Sequence, residues 1–433
     1  MKSLFKNSNF LLIVGILLSA GLVIYLESLS LESVIHTLKK TLVIPKPRRG
    51  PLTDEEKKWA KVAWTYMEKN YVPETGMVDS VKDFPVVTLW DTASTLLGTL
   101  CAHKLGLIDQ AVFQERTERL LNSIKKFSLS DEKMPHKYYN THNLINVHVK
   151  DPWKPENTGW SALDMSRLIM ALHVISIHEP QFMPLVQEIL KQWDLHHLIR
   201  EGQLQGSSVE NDMLESSQEG RLGYEQYASR CLNLIGLDSP VSNRHEDNLE
   251  FQNIYGVEVP IDKRTSKTHK ADSYTLSEPY ILEGLEFGWN AFSQNLACSV
   301  YKVQEERFKK TKIYTAVTED NVDAGPKFVY NAVVINGHPW VTLTPKGENA
   351  NDYRSLSTKA AIGWFILFET PYTNDMVNHL IGQVINPEEG WFAGIYEKDQ
   401  KINTALSLNT NCVILEALYV KCFGPLITSA YQK

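Results

Sequence analysis

The sequence predicts an all-α fold, a ring of about six helix pairs, and three observations carry that expectation. From residue 54 onward about eleven segments show helical periodicity. They fall into two kinds: nearly apolar ones such as VTLWDTASTLLGTL, and amphipathic ones such as DQAVFQERTERLLNSIKKF. An aromatic residue and a carboxylate also meet repeatedly at the start of a mostly apolar segment: Trp90-Asp91, Trp160 with Asp164, Tyr224-Glu225, Glu278 with Tyr280, and Trp391 ahead of Glu397. If the apolar helices form an inner ring and the amphipathic ones an outer ring, every inner helix starts at the same end. The aromatic and acidic residues then line one cleft.

The elements follow in order. Thr53 before DEE and Ser277 before Glu278-Pro279 are helix starts, and Gly106, Gly236 and Gly424 are stops. The helical run is expected to be interrupted by a single β element, FVYNAVVINGHPWVTL (328–343), whose β-rich arms flank the turn pair Asn336-Gly337. Residues 238–276 and 344–357 are polar and aperiodic and read as long loops.

The first residues differ in kind. Lys2 and Lys6 precede the uncharged, mostly apolar run 10–26, which reads as a signal anchor: 1–9 cytoplasmic, 10–26 membrane-spanning, 27–52 a linker, and 53–433 a domain on the periplasmic side of the inner membrane. A cleaved signal peptide, leaving a secreted or periplasmic domain, is the alternative. The 433 residues are 43% apolar and 10% aromatic, enough for a large core. A net charge of −7 with scattered basic residues excludes nucleic acid as a partner. Cys101, Cys231, Cys298, Cys412 and Cys422 form no C-x-x-C and are expected to be free thiols.

Carboxylates dominate the candidate chemistry. On the wheel of SEPYILEGLEFGWN, Glu278 shares the apolar face with Ile281, Leu282, Leu285 and Trp289, while Glu283 and Glu286 fall elsewhere. Burial of such a carboxyl raises its pKa, as a general acid needs. In EGRLGYEQYASR, Glu225 lies in the first helical turn beside Tyr224, with Arg221 and Arg230 flanking; aromatic faces stack on sugar rings, and charged groups bond hydroxyls. Asp91 reads equally as a helix cap or a cleft residue. Asp164 and Arg167, three apart, are spaced to pair with each other. Trp90, Trp160, Tyr280, Trp391, Glu397 and Asn409 complete the expected sugar-binding set. The histidines lack metal-ligand spacing, and HExxH, G-x-S-x-G, P-loop and dinucleotide signatures are absent, so neither a metal nor another cofactor is expected.

TLWDTAS, MPHKYYNT, GWSALDMSR, EGRLGYEQYASR, SEPYILEGLEFGW, LSTKAAIGW and GWFAGIYE with LNTNCVILEAL together resemble a bacterial family known as domain of unknown function 3131, over about residues 54–430. The resemblance implies an (α/α)6 toroid similar to glucoamylase-like glycoside hydrolases, usually exported. It supplies no catalytic residues. The resulting expectation is a glycoside hydrolase-like protein acting on a bacterial glucan or envelope polysaccharide, with Glu225 and Glu278 as the carboxyl pair and Asp91 in reserve. Two alternatives stand beside it: a non-catalytic polysaccharide-binding scaffold, and a lyase in which Tyr224 or Tyr280 abstracts a proton while Arg221 or Arg230 holds a uronate.

Overall fold

Thr53 opens the first helix with a reciprocal cap: its hydroxyl accepts from the Glu56 N–H at 3.2 Å, and Glu56 Oε2 accepts from the Thr53 N–H at 2.7 Å. From there the computed structural model, which describes Val14, Ser19 and residues 43–430 except 212 and 270, alternates outer and inner helices. In chain order they are outer α1 (Asp54–Lys69), inner α2 (Leu89–Lys104), outer α3 (Gln110–Ile124), inner α4 (Ala162–His178), outer α5 (Met183–Leu190), inner α6 (Tyr224–Asn233), inner α7 (Glu278–Leu282), outer α8 (Ala291–Thr311), inner α9 (Thr358–Leu367), outer α10 (Pro371–Val384) and inner α11 (Leu408–Phe423).

The six inner helices close a ring in which α2 packs between α4 and α11, α9 packs between α11 and α7, and α6 joins α4 to α7. Every residue of α9 is buried, as a helix surrounded by other helices requires, while α1 and α3 each bury one face. Between α6 and α7 the outer helix shrinks to Pro240–Asn243, and α8 packs instead against a β-hairpin.

Strand content exceeds the single expected hairpin. Strands β1 (Val86–Thr88) and β2 (Tyr138–Asn140) pair with each other. Three antiparallel hairpins join β3 (Val147–His148) to β4 (Asp151–Pro155), β5 (Gln203–Glu210) to β6 (Met213–Gln218), and β7 (Leu249–Ile254) to β8 (Val257–Asp262). Strands β9 (Glu319–Asn321) and β10 (Phe328–Asn331) follow α8. The stretch 238–276, expected as loop, therefore contains β7 and β8. Strands such as QLQGSSVE and MLESSQ are small and polar and carry no alternating apolar signal. The Asn336-Gly337 turn is present, with φ of 48° and 79° joining Val334–Ile335 to His338–Pro339.

The helical wheel of the fourth inner segment needs correction. Beyond Leu282 the helix widens into a π turn, Glu283–Phe287, which shifts the phase of everything after it. Glu283 and Glu286 are 6% and 0% exposed, as the whole segment Glu278–Phe287 is buried and leaves no polar face to solvent.

Two expectations about the chain's first part also change. The chain from Pro45 onward forms one compact unit. Residues 46–50, expected within a linker, are bonded to that unit where α9 and α11 end: the Arg48 N–H donates to the Ile366 carbonyl at 2.8 Å, and the Gly50 N–H donates to the Lys421 carbonyl at 2.9 Å. No helix among the described residues is long and apolar enough to cross a membrane, so the single-pass inner-membrane placement is withdrawn. The run 10–26 that suggested it lies, apart from Val14 and Ser19, outside the described residues. All five cysteines are free, four of them buried.

Candidate active site

The inner helix starts converge. Asn409, in the first turn of α11, donates from Nδ2 to Glu278 Oε1 at 2.8 Å, and Lys359, in the first turn of α9, pairs with Glu278 Oε2 at the start of α7.

On one wall, Ser161 caps α4 by accepting from the Asp164 N–H at 3.1 Å. Its Oγ also lies 2.8 Å from Glu219 Oε1 and 3.1 Å from Asp164 Oδ1. A hydroxyl has one proton to donate. If Ser161 gives it to Glu219, the contact with Asp164 is a hydrogen bond only when Asp164 is protonated and donates. Electrostatics agree: burial, then the charge of Glu219, pushes the Asp164 carboxyl up to about 7. Glu219 is anchored by the Ala162 N–H, which donates to Oε2 at 2.5 Å, and its carboxyl is raised too, chiefly by burial.

Glycines make this wall possible. At Gly206 on β5 a Cβ would collide with the Glu219 carboxylate. At Gly159, with φ of 66°, a Cβ would lie 2.5 Å from the Ser207 carbonyl oxygen. Ser207 in turn receives the Trp160 N–H at 2.9 Å, fixing the entry to α4.

A second wall gathers carboxyls around one cation. Burial disfavours the charge of Lys359, but Glu278, Asp320 and Glu319 more than offset it and hold the ammonium above its usual range. Glu319 and Asp320 on β9 are both raised by burial, with Lys359 opposing the shift. Between the walls stands an aromatic group: Tyr274 stacks on Tyr330 at 4.4 Å, and Trp90 meets Tyr224 edge-on at 5.6 Å. Tyr224, Tyr274 and Tyr330 pack together on the small cluster of Leu276, Ala332 and Ile335. Burial and the charges of Glu319 and Asp164, among others, raise the Tyr330 phenol, so its ring lies within electrostatic reach of both walls. Burial raises the Tyr138 phenol to about 12, and Asp164 and Glu219 add to the effect.

The residues expected from sequence divide between this cleft and its surroundings. Trp90, Asp91, Asp164, Tyr224, Glu278 and Asn409 lie at the converging helix starts. Thr88, not Asp91, caps α2: its Oγ1 accepts from the Asp91 N–H at 2.9 Å and donates to Asp91 Oδ2 at 3.0 Å, and burial raises the Asp91 carboxyl. Glu225 is 2% exposed and bonded to Arg264 at 2.6 Å and to the Ser242 hydroxyl at 2.8 Å. Arg221 donates to Gln218 and to backbone carbonyls, and Arg230 pairs with Glu283 over the Phe287 ring, so both are committed to local contacts. Tyr280 is 3% exposed. Trp160 and Trp391 are core residues, donating from their indoles to Gln205 O and Trp59 O at 3.1 Å each. Glu397 pairs with Arg307 and lines a separate small cavity with Tyr314 and His379. The expected Asp164–Arg167 pair does not form: Arg167 turns to the ring axis, where it meets Glu286 and Glu416.

Sequence reading missed Glu219, Lys359, Glu319, Tyr138, Tyr274 and Tyr330. Glu219 sits within EGRLGYEQYASR but ahead of its helix, where wheel arguments do not reach. Lys359 left a signal, as the lone cation in the apolar helix TKAAIGWFIL. A buried ammonium requires a carboxylate partner. Among the described residues, no three His, Cys, Asp or Glu side chains are arranged to hold a metal.

A ring of six inner helices whose starts carry carboxyls and aromatic residues defines an (α/α)6 toroid, the fold shared with the glucoamylase-like structures below. The chain belongs to the family described as Protein of unknown function (DUF3131), whose model matches residues 58–424. Among solved structures it is similar to an endo-β-1,2-glucanase from Chitinophaga pinensis in complex with sophorotriose and glucose, at 13% identity and TM-score 0.62 over 88% of this chain and 96% of that one. An endo-β-1,2-glucanase from Talaromyces funiculosus in complex with sophorose gives 11% identity and TM-score 0.62 over 88% and 86%. A candidate glucoamylase from Bacteroides caccae gives 11% and 0.62 over 88% and 96%. At these identities the likeness is one of fold. No curated protein matches the chain.

Proposed function

We propose that the protein is a glycoside hydrolase acting on a glucan, with Asp164 as the general acid. The observation that carries this reading is the Ser161 hydroxyl touching both Asp164 and Glu219: its single proton can serve only one of two ionised carboxylates, and burial beside Glu219 pushes the Asp164 carboxyl up to about 7. Glu219 keeps the proton there by its charge. Glu319, on the second wall, is assigned as the base that takes a proton from the attacking water, with Lys359 fixing its surroundings.

In the reaction, the Asp164 proton goes to the leaving glycosidic oxygen as its bond to the anomeric carbon breaks. Water adds to that carbon, its proton passes to Glu319, and a new reducing end results. Trp90 and Tyr330 offer apolar faces for sugar rings. Glu278 and Asp91, the other carboxyls singled out from sequence, are assigned bracing roles: Glu278 orients Lys359 and Asn409, and Asp91 holds the Thr88 cap of α2. Glu225, tied to Arg264 behind the wall, supports α6. The solved glucanases of this fold support a β-1,2-linked glucan as the first substrate to test.

The test is incubation of the purified protein with linear β-1,2-glucan and other glucans, reading reducing ends. Release by the wild type, loss in Asp164→Asn, and azide rescue of Glu319→Ala are expected. Absence of product from every glucan, or full activity in Asp164→Asn, contradicts the proposal.

A further inference from the structure

The β3–β4 hairpin carries an exposed tryptophan. Trp153 is 59% exposed and Val149, on the same hairpin, 42%, whereas tryptophans of a folded chain are usually well covered. Trp153 is not left unordered: the His142 ring stacks against it at 6.2 Å and 28°, and its backbone N–H donates to Asp151 Oδ1 at 3.1 Å. Asn140 on β2 holds the hairpin by donating from Nδ2 to the Pro152 carbonyl at 2.8 Å.

The hairpin is continuous with the cleft. Tyr138, at the other end of the three-residue strand β2, contacts His148 of β3 edge-on at 6.3 Å, and its phenol lies within the field of Asp164 and Glu219. Two aromatic pairs thus flank the hairpin, Tyr138 with His148 on the side of the acid and His142 with Trp153 farther along. Its charges alternate and cancel, Lys150 and Lys154 against Asp151 and Glu156. A neutral face with an exposed indole fits a neutral sugar ring better than an acidic polymer.

We propose that Trp153 and His142 form an outer subsite that holds a distal residue of a neutral glucan chain whose scissile bond lies at Asp164. The inference rests on the glucan reading above and deepens it: the protein engages a polymer along several residues instead of a chain end alone.

The experiment measures binding of long linear β-1,2-glucan and of sophorotriose to the full chain carrying Asp164→Asn, which does not turn them over, with and without Trp153→Ala or Trp153→Phe. The exposed position leaves folding unaffected. Loss of one stacking contact is expected to weaken polymer binding about 3- to 10-fold in Trp153→Ala, with recovery in Trp153→Phe and little change for the trisaccharide. Equal polymer affinity with and without the indole overturns the outer subsite while leaving the cleft reading intact. Failure of the parent protein to bind either ligand, with wild type releasing no reducing ends, overturns both.

Discussion

Arg167 donates from Nη2 to Glu286 Oε1 at 3.2 Å at the axis of the helix ring, where neither side chain has any solvent exposure. The same nitrogen reaches Glu416 Oε1 at 3.1 Å, and Tyr227 donates to Glu286 Oε2 at 2.5 Å. Arg167 Nη1 also donates to the Trp90 carbonyl at 3.1 Å and to Ser94 Oγ at 2.5 Å, so one guanidinium ties α4 to α2, α11 and the extension of α7, and Tyr227 adds α6 through Glu286. Two buried carboxyls share that single cation, and burial holds both above the usual range, Glu416 well above it.

Removing the cation and removing the surplus acid should have opposite effects. Arg167→Met leaves uncompensated buried carboxyls and is expected to cost about 3–5 kcal/mol in urea unfolding. Glu416→Gln keeps the shape. Because the folded-state pKa of Glu416 is raised, its contribution is fully present below the ordinary carboxylate pKa and is lost as pH rises above it. The Gln variant is therefore expected to flatten the decline in stability between pH 5 and pH 8, measured as urea midpoints.

Asp164 should link activity to pH with a definite sign. An acid that must carry its proton gives a kcat/KM that falls as pH rises through about 7. Stability follows the same direction: the carboxyl's contribution is intact below the ordinary 3.8 and is lost as pH rises to about 7. Asp164→Asn is expected to lose activity about 10²–10⁴-fold and to unfold at higher urea than wild type at pH 8. Lower stability of the variant at that pH contradicts a raised Asp164 pKa.

Glu225 and Glu219 separate a supporting carboxylate from a working one. Glu225→Gln breaks a buried pair with Arg264 and is expected to cost about 3 kcal/mol while the folded fraction keeps most of its kcat. Glu219→Gln is expected to shift the alkaline limb of the pH profile downward, since the charge that holds the Asp164 proton is gone. Comparison of pH–rate profiles for the two variants decides the assignment.

Gly159 tests the geometry behind the wall. An alanine there combines left-handed backbone with a contact 2.5 Å from the Ser207 carbonyl, at an expected cost of about 1–3 kcal/mol. Its displacement of Ser161 should lower kcat in the molecules that remain folded, read by circular dichroism beside the reducing-end assay.

The helical ring was readable because its inner segments are apolar throughout and its outer ones amphipathic, a contrast that survives in α2 against α3. The hairpins were not, since β5 and β6 are polar and small. Within the cleft, Asp91, Asp164, Glu278 and Asn409 were legible from their positions at helix starts. Glu219 and Glu319 come from segments between helices, and long-range pairing alone brings them to the cleft. Glu283 and Glu286 misled the wheel because the whole segment Glu278–Phe287 is buried, so its faces cannot be sorted into inner and outer.

The most direct test is a carboxyl-carbon NMR titration of Asp164 in the wild type and in Glu219→Gln, since it depends on no choice of substrate. Titration near 7 in the wild type and a clear drop in the variant are expected. An Asp164 that titrates near 4 in both proteins contradicts the acid assignment.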